Sequence, residues 1–171
     1  MRKVVFLDRD GVLNVDTNYL HKVEDLRWVK GAKTALKKAV DAGYDLIVVT
    51  NQSGVARGYY SERDVLTLHS YMGKVLEGVG APILAFYYCP HLKGAPIAMY
   101  DIDCDCRKPK PGMLLKAIKD YDIDVTESFL IGDSPRDIQA AEAAGMKGYL
   151  FISHNLEECM DAILEKRKTI Q

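Results

Sequence analysis

Long apolar runs are missing from this chain. No stretch reaches the roughly 18 residues that a membrane-spanning helix requires. The opening MRKVVFLDRDG offers only four apolar residues after its cations before an acid intervenes, whereas a secretory signal needs an apolar core of about 7–15. An excess of either charge is missing too. Lys and Arg number 23 against 24 Asp and Glu, mixed along the chain, for a net charge of −1. This argues against a protein held on nucleic acid by bulk electrostatics. Cysteine is sparse, at four residues. A cytoplasmic location is expected, with reduced thiols that point to metal binding or catalysis before disulfides. No repeat, low-complexity segment or linker divides the 171 residues, so a single domain over 1–171 is expected. Nothing suggests a large apolar interface, and a monomer is expected.

What is present is an alternation of short apolar runs and amphipathic segments. KVVFL (3–7), YDLIVVT (44–50), ILAFYY (83–88), SFLIGD (128–133) and GYLFI (148–152) read as strands, mostly buried on both faces. Between them lie segments of helical period. Gly43 and Gly145 stop two of these, Ser61 with Asp64 and Ser134 with Pro135 open two more, and Asn155 opens the last. The order predicts an α/β fold, a doubly wound parallel sheet with helices on both faces. Residues 89–112 carry four prolines and no period; long loops of this kind in compact domains are usually functional.

Ligands of open α/β sheets bind beyond the carboxyl ends of the strands. The first strand ends in Asp8 and Asp10, whose spacing of two puts both carboxylates on one side of an extended segment. Thr50 and Asn51 end the second strand. Asp133 ends the fourth, with Asp137 four residues on, and the long loop delivers Arg107, Lys108 and Lys110. Several carboxylates around one point repel unless a cation sits among them, and hard oxygen ligands sharing their shell with a phosphate select Mg²⁺. A Thr hydroxyl and backbone amides can hold phosphoryl oxygens, and a lysine can neutralise the remaining charge. One Asp can attack phosphorus while the other moves protons.

The same loop holds a second constellation. Cys89 and His91, then twelve residues, then Cys104 and Cys106 form C-x-H…C-x-C. Three thiolates and an imidazole suit a closed, structural Zn²⁺ site, the zinc loop spanning 89–110. A disulfide and metal-free thiols are the alternatives. A zinc module for nucleic acid fits poorly, since no basic stripe or aromatic series accompanies it.

FLDRDGVLN, VTNQSG, RKPKPGM and IGDSPRD resemble the four motifs of the haloacid dehalogenase superfamily of phosphatases, over residues from about 4 to 145. The resemblance implies a Rossmann-like fold, Mg²⁺ and an aspartyl-phosphate intermediate. It makes Asp8 the nucleophile and a Mg²⁺ ligand. Asp10 becomes the general acid/base, with its carbonyl on the metal. Thr50 and Asn51 hold the phosphoryl group, Lys108 balances charge, Asp133 binds Mg²⁺ and Asp137 supports that site. No inserted cap domain fits between the motifs, so the protein should be capless and take its selectivity from residues 14–27, 52–60 and 89–110. Capless members carry a zinc loop of this form, which supports the zinc reading.

NQSGVARGYYSE and CDCRKPKPGM resemble members that act on a sugar bisphosphate. Gln52 and Ser53 then join the substrate-binding residues, as do Arg57 and Arg107, with Lys110 and Arg136 weaker candidates for an unreacted phosphate. A small phosphorylated sugar is thus the expected partner. The alternatives are a histidinol-phosphate phosphatase and, in another class, a phospho-accepting receiver module. A first-strand D-x-D-G disfavours the receiver.

Overall fold

The computed structural model describes residues 1–170. Five strands form one all-parallel sheet in the order β3-β2-β1-β4-β5, where β1 is Val4–Leu7, β2 Asp45–Asn51, β3 Ala85–Cys89, β4 Phe129–Gly132 and β5 Lys147–Leu150. Five helices connect and flank them: α1 Ala32–Asp41, α2 Glu62–Gly78, α3 Gly112–Tyr121, α4 Pro135–Ala143 and α5 Leu156–Ile170.

Side-chain alternation along the central strands feeds two cores. Val5 and Leu7 of β1, Leu46 and Val48 of β2, and Phe129 and Ile131 of β4 pack with α1, α2 and α5. Val4 and Phe6, Ile47 and Val49, and Leu130 pack on the opposite face with α3 and α4. All four β1 side chains are fully buried, each contributing about 1.5–3 kcal/mol for a side chain of this size. This is why the strand reads as an unbroken apolar run, and the layering is the doubly wound arrangement expected.

Helix starts follow the sequence signals. Ser61 and Asp64 form a reciprocal capping box on α2. Pro135 takes the first turn of α4, where Asp137 accepts from the Ser134 amide at 3.2 Å. Asn155 Oδ1 accepts from the amides of Glu157 and Glu158 at the start of α5.

Two strands differ in extent from expectation. β3 begins at Ala85, where pairing with Ile47 starts, and runs on to Cys89. β5 ends at Leu150. Its partner β4 ends at Gly132, Phe151 turns into the core at 7% exposure, and Ile152 is 74% exposed. Two segments read as loop contain short 3₁₀ turns, Val23–Asp25 and Ala98–Tyr100.

Candidate active site

The carboxyl ends of β1, β2 and β4 open into a cleft of about 280 Å³. Asp8 leaves β1 at its floor, 13% exposed. One ligand oxygen from each of Asp8, Asp133 and Asp137 lies within 4.8 Å of the others. Lys108 reaches this cluster from the long loop, its ammonium 3.1 Å from Asp8 Oδ1 and 2.6 Å from Asp137 Oδ1, while donating to the Val49 carbonyl. Burial pushes the Lys108 ammonium toward neutrality, but Asp8 and Asp137 overcome it and hold its pKa above the ordinary lysine value. Burial raises Asp8 to about 8; Lys108 opposes the rise, and Asp137, Asp10 and Asp133 add to it. Asp133, which is more open, is raised by burial and then by Asp137. One ammonium therefore faces more carboxylates than it can neutralise. The oxygen-only donor set and its uncompensated charge fit a hard divalent cation such as Mg²⁺.

Gly11 makes this approach possible. Its φ is +87°, and a Cβ there would lie 1.9 Å from Asp133 Oδ2. Residues 9–14 coil beneath it, with the amides of Val12, Leu13 and Asn14 all directed at the Arg9 carbonyl.

Asp10 faces the cleft beside Asp8. Its Oδ1 accepts from Arg9 Nε at 3.2 Å, Arg9 Nη2 at 3.0 Å and Asn14 Nδ2 at 2.9 Å. Its Oδ2 accepts from Gln52 Nε2 at 3.0 Å. The Gln52 amide also donates to Thr50 Oγ1, and Tyr60 donates to its Oε1 at 2.5 Å.

The cleft wall is cationic. Arg57, Arg107 and Arg136 line it with Ser53. Burial, followed by the charge of Arg136, lowers the Arg107 pKa. Arg107 Nη1 and Arg57 Nε are buried with no protein partner. Asp16, Asn18 and Tyr19 form the opposite lip. Asn18 and Tyr19 both have φ near +60°, and Arg57 sits over the Tyr19 ring at 5.8 Å.

At the base of the long loop, Cys89, His91, Cys104 and Cys106 present four ligand atoms within 4.8 Å of one another. Sulfur–sulfur distances are 2.8, 3.3 and 3.5 Å, and His91 Nδ1 lies 3.4 Å from Cys106 Sγ. These exceed the roughly 2.05 Å of a disulfide, and all four cysteines are free. Ligands around a zinc with Zn–S of about 2.3 Å sit about 3.8 Å apart, so a small expansion of this cluster would accommodate the ion.

Residues 105–158 match the family model described as HAD-hydrolase-like. The chain is 48% identical over 147 residues, 85% of this chain and 80% of the relative, to the D-glycero-beta-D-manno-heptose-1,7-bisphosphate 7-phosphatase of Haemophilus ducreyi. It is 46% identical over 144 residues, 84% and 79% of the two chains, to the corresponding alpha-heptose enzyme of Photorhabdus laumondii. The chain belongs to the haloacid dehalogenase family of phosphatases. Among solved structures, the D,D-heptose 1,7-bisphosphate phosphatase from B. bronchiseptica, complexed with magnesium and phosphate, superposes with a TM-score of 0.81 at 30% identity. That match covers 96% of this chain and 99% of the other.

This phosphatase brings most of the expected residues to one cleft. Asp8, Asp10, Asn51, Gln52, Ser53, Arg57, Arg107, Lys108 and Asp133 all line it, and Asp137 lies beneath, fully buried. Thr50 is fully buried behind the wall, and its hydroxyl contacts Gln52 and the Asn51 carbonyl. The Asn51 amide clamps the long loop, bonding both the N–H and the C=O of Lys108. Lys110 turns away to Asp103 and the Cys104 carbonyl, whereas Arg136, which had the weaker claim, lines the cleft. Arg9, Asn14 and Tyr60 were missed altogether. A neighbour of D-x-D carries no signal for burial, and Arg9 is fully buried. His69 is buried against Arg9 and stacked on Phe86. Cys159 is partly buried and packs against the core.

Proposed function

We propose that this phosphatase removes the C7 phosphate of D-glycero-D-manno-heptose 1,7-bisphosphate. Asp8 attacks the phosphorus, and the bond to the sugar oxygen breaks. Asp10 gives that oxygen a proton, leaving an acyl-phosphate on Asp8 and a free hydroxyl on the sugar. Asp10, now a carboxylate, takes a proton from water as the water attacks the phosphorus, which releases phosphate and restores Asp8. Lys108 offsets charge on Asp8 and the phosphoryl group. Asn51 holds the Lys108 backbone, and Thr50 supports the floor. Asp8, the Asp10 carbonyl and Asp133 would hold Mg²⁺, with Asp137 behind them; the ion neutralises phosphoryl charge when bound. Cys89, His91, Cys104 and Cys106 would hold Zn²⁺, and a cytoplasmic setting keeps these thiols reduced.

The observation that carries the substrate reading is the arginine wall. Arg107 Nη1 and Arg57 Nε are buried without protein partners, a costly state unless an anion arrives, and Arg136 stands beside them. A bisphosphate supplies that anion as its unreacted phosphate. Sequence identity with two heptose bisphosphate phosphatases points the same way. The test is kcat/KM for both heptose bisphosphate anomers and for histidinol phosphate, on the native enzyme and on Arg107→Met. Losing one or two charge-assisted hydrogen bonds should lower kcat/KM for the bisphosphate about 10–100-fold and spare a monophosphate. An equal loss on both, or a preference for histidinol phosphate, would refute the assignment.

A further inference from the structure

Asp10 is held more elaborately than a proton carrier at a cleft edge requires. Three donors converge on its Oδ1, two from Arg9 and one from Asn14, and a single donor reaches Oδ2. The Arg9 side chain is fully buried, so it cannot meet the substrate. Its other bonds go to the Leu20 carbonyl at 2.9 Å and to His69 Nε2 at 3.2 Å. A guanidinium only donates. The His69 nitrogen facing it must therefore be unprotonated, and the ring neutral with its proton on Nδ1. Burial and the Arg9 charge both act this way, pushing His69 down to about 3. His69 belongs to α2 and stacks on Phe86 of β3 at 4.6 Å, so the acceptor is anchored in the body of the fold. On the other oxygen, the Tyr60 hydroxyl donates to Gln52 Oε1 and leaves Gln52 Nε2 no orientation but toward Asp10 and Thr50.

We propose that Arg9 is a positioning residue for Asp10, that neutral His69 holds Arg9 in register, and that Asp10 exchanges its proton through Oδ2. Oδ1 is saturated by three donors, whereas Oδ2 has one donor and a lone pair to spare. Through the Leu20 carbonyl, the same guanidinium ties the lip carrying Asp16, Asn18 and Tyr19 to the proton carrier. The inference rests on the reading of Asp10 as acid and base. Displacement of such a group by about 1 Å can cost about 10²-fold in rate.

The experiment compares two leaving groups. A sugar alkoxide needs protonation, whereas nitrophenolate does not. His69→Leu and Arg9→Lys should lower kcat on the heptose bisphosphate at least about tenfold, a fraction of the ~10²–10⁴ that a positioned acid contributes, with KM unchanged. With p-nitrophenyl phosphate the first turnover should stay near the native rate, giving a nitrophenol burst because hydrolysis of the acyl-phosphate still needs Asp10. His69→Gln, whose Oε1 can accept from Arg9, should restore most of the sugar-phosphate rate. Thermal unfolding midpoints establish that each variant is folded; Arg9→Lys carries the comparison should His69→Leu not fold. Equal first-turnover losses on both leaving groups, or native rates in His69→Leu and Arg9→Lys, overturn the relay. Asp10→Asn is the reference. If it discriminates between leaving groups and the His69 and Arg9 variants do not, only the relay falls. If Asp10→Asn itself fails to discriminate, the acid assignment falls and takes the relay with it.

Discussion

Lowering the pH should destabilise this protein through His69 by an amount the structure sets. The ring is 4% exposed, faces the buried Arg9 guanidinium, and is enclosed by Phe86 and Tyr88. Its pKa falls from 6.5 to about 3 in the folded state. A depressed folded pKa gives stability that is present above the unfolded value and lost as pH falls toward the folded one. The window is therefore about pH 6.5 down to about 3. At pH 5 the unfolded chain has gained most of a proton that the folded chain refuses. Linkage then gives a loss of about 2 kcal/mol relative to pH 7.5. That figure hardly depends on the folded value, provided it lies below about 4.5.

Urea unfolding at pH 7.5 and pH 5.0, on the native protein and on His69→Gln, measures the effect. Carboxylates and metal ligands titrate equally in both proteins, so the difference between the two pH dependences isolates His69. The native protein should lose about 2 kcal/mol more than the variant between these pH values. A difference within about 0.5 kcal/mol would mean that His69 titrates normally, and the neutral, acceptor ring would have to be abandoned.

Two further outcomes follow from the geometry. Gly11→Ala places a Cβ within 1.9 Å of Asp133 Oδ2 at a φ of +87°, so Asp133 must move; activity titrated against Mg²⁺ should show about 10–100-fold weaker metal affinity, and an unchanged titration would refute Asp133 as a ligand. Cys104→Ser should remove zinc by elemental analysis and lower kcat/KM, because Arg107 and Lys108 follow the cluster directly; zinc-free protein with native kcat/KM would separate the cluster from catalysis.

The sheet was legible because its central strands are buried on both faces and leave continuous apolar runs, as in Val4–Leu7. The edge strand β5, alternating between exposed and half-buried positions, has no such run, and its limits were misplaced by two residues at the far end. The carboxylates and Lys108 were legible because their types and order are unusual together. Arg9 was not, since the partners that meet its buried guanidinium include the Leu20 carbonyl, 11 positions away, and His69, 60 positions away in sequence. The rim arginines could be named but not ranked. Lys110 is captured by Asp103 and withdrawn, whereas Arg136, on the first turn of α4, is carried into the cleft by the strand end before it. Whether a surface cation serves a site depends on local competition for it, which only the folded chain establishes.

Among the described residues no domain is inserted over the cleft, and the long loop beside it is fastened at several separate points. The loop after β3 is gathered at the Cys and His cluster. Its middle is fixed independently by Glu62 of α2, whose two carboxylate oxygens accept from Tyr88 at 2.6 Å and Tyr100 at 2.7 Å. Its exit is pressed onto α3 at Gly112, where a Cβ would lie 2.2 Å from the Asp105 carbonyl. Asn51 then grips the Lys108 backbone from β2 in both directions. Arg107 thus stands between two anchored neighbours, Cys106 in the cluster and Lys108 on Asn51. Its Nη1, buried and without a protein partner, is held at the cleft wall between these anchors. The ordering cost of that side chain is met on folding and not on substrate binding, which favours a ligand that brings a second phosphate to it.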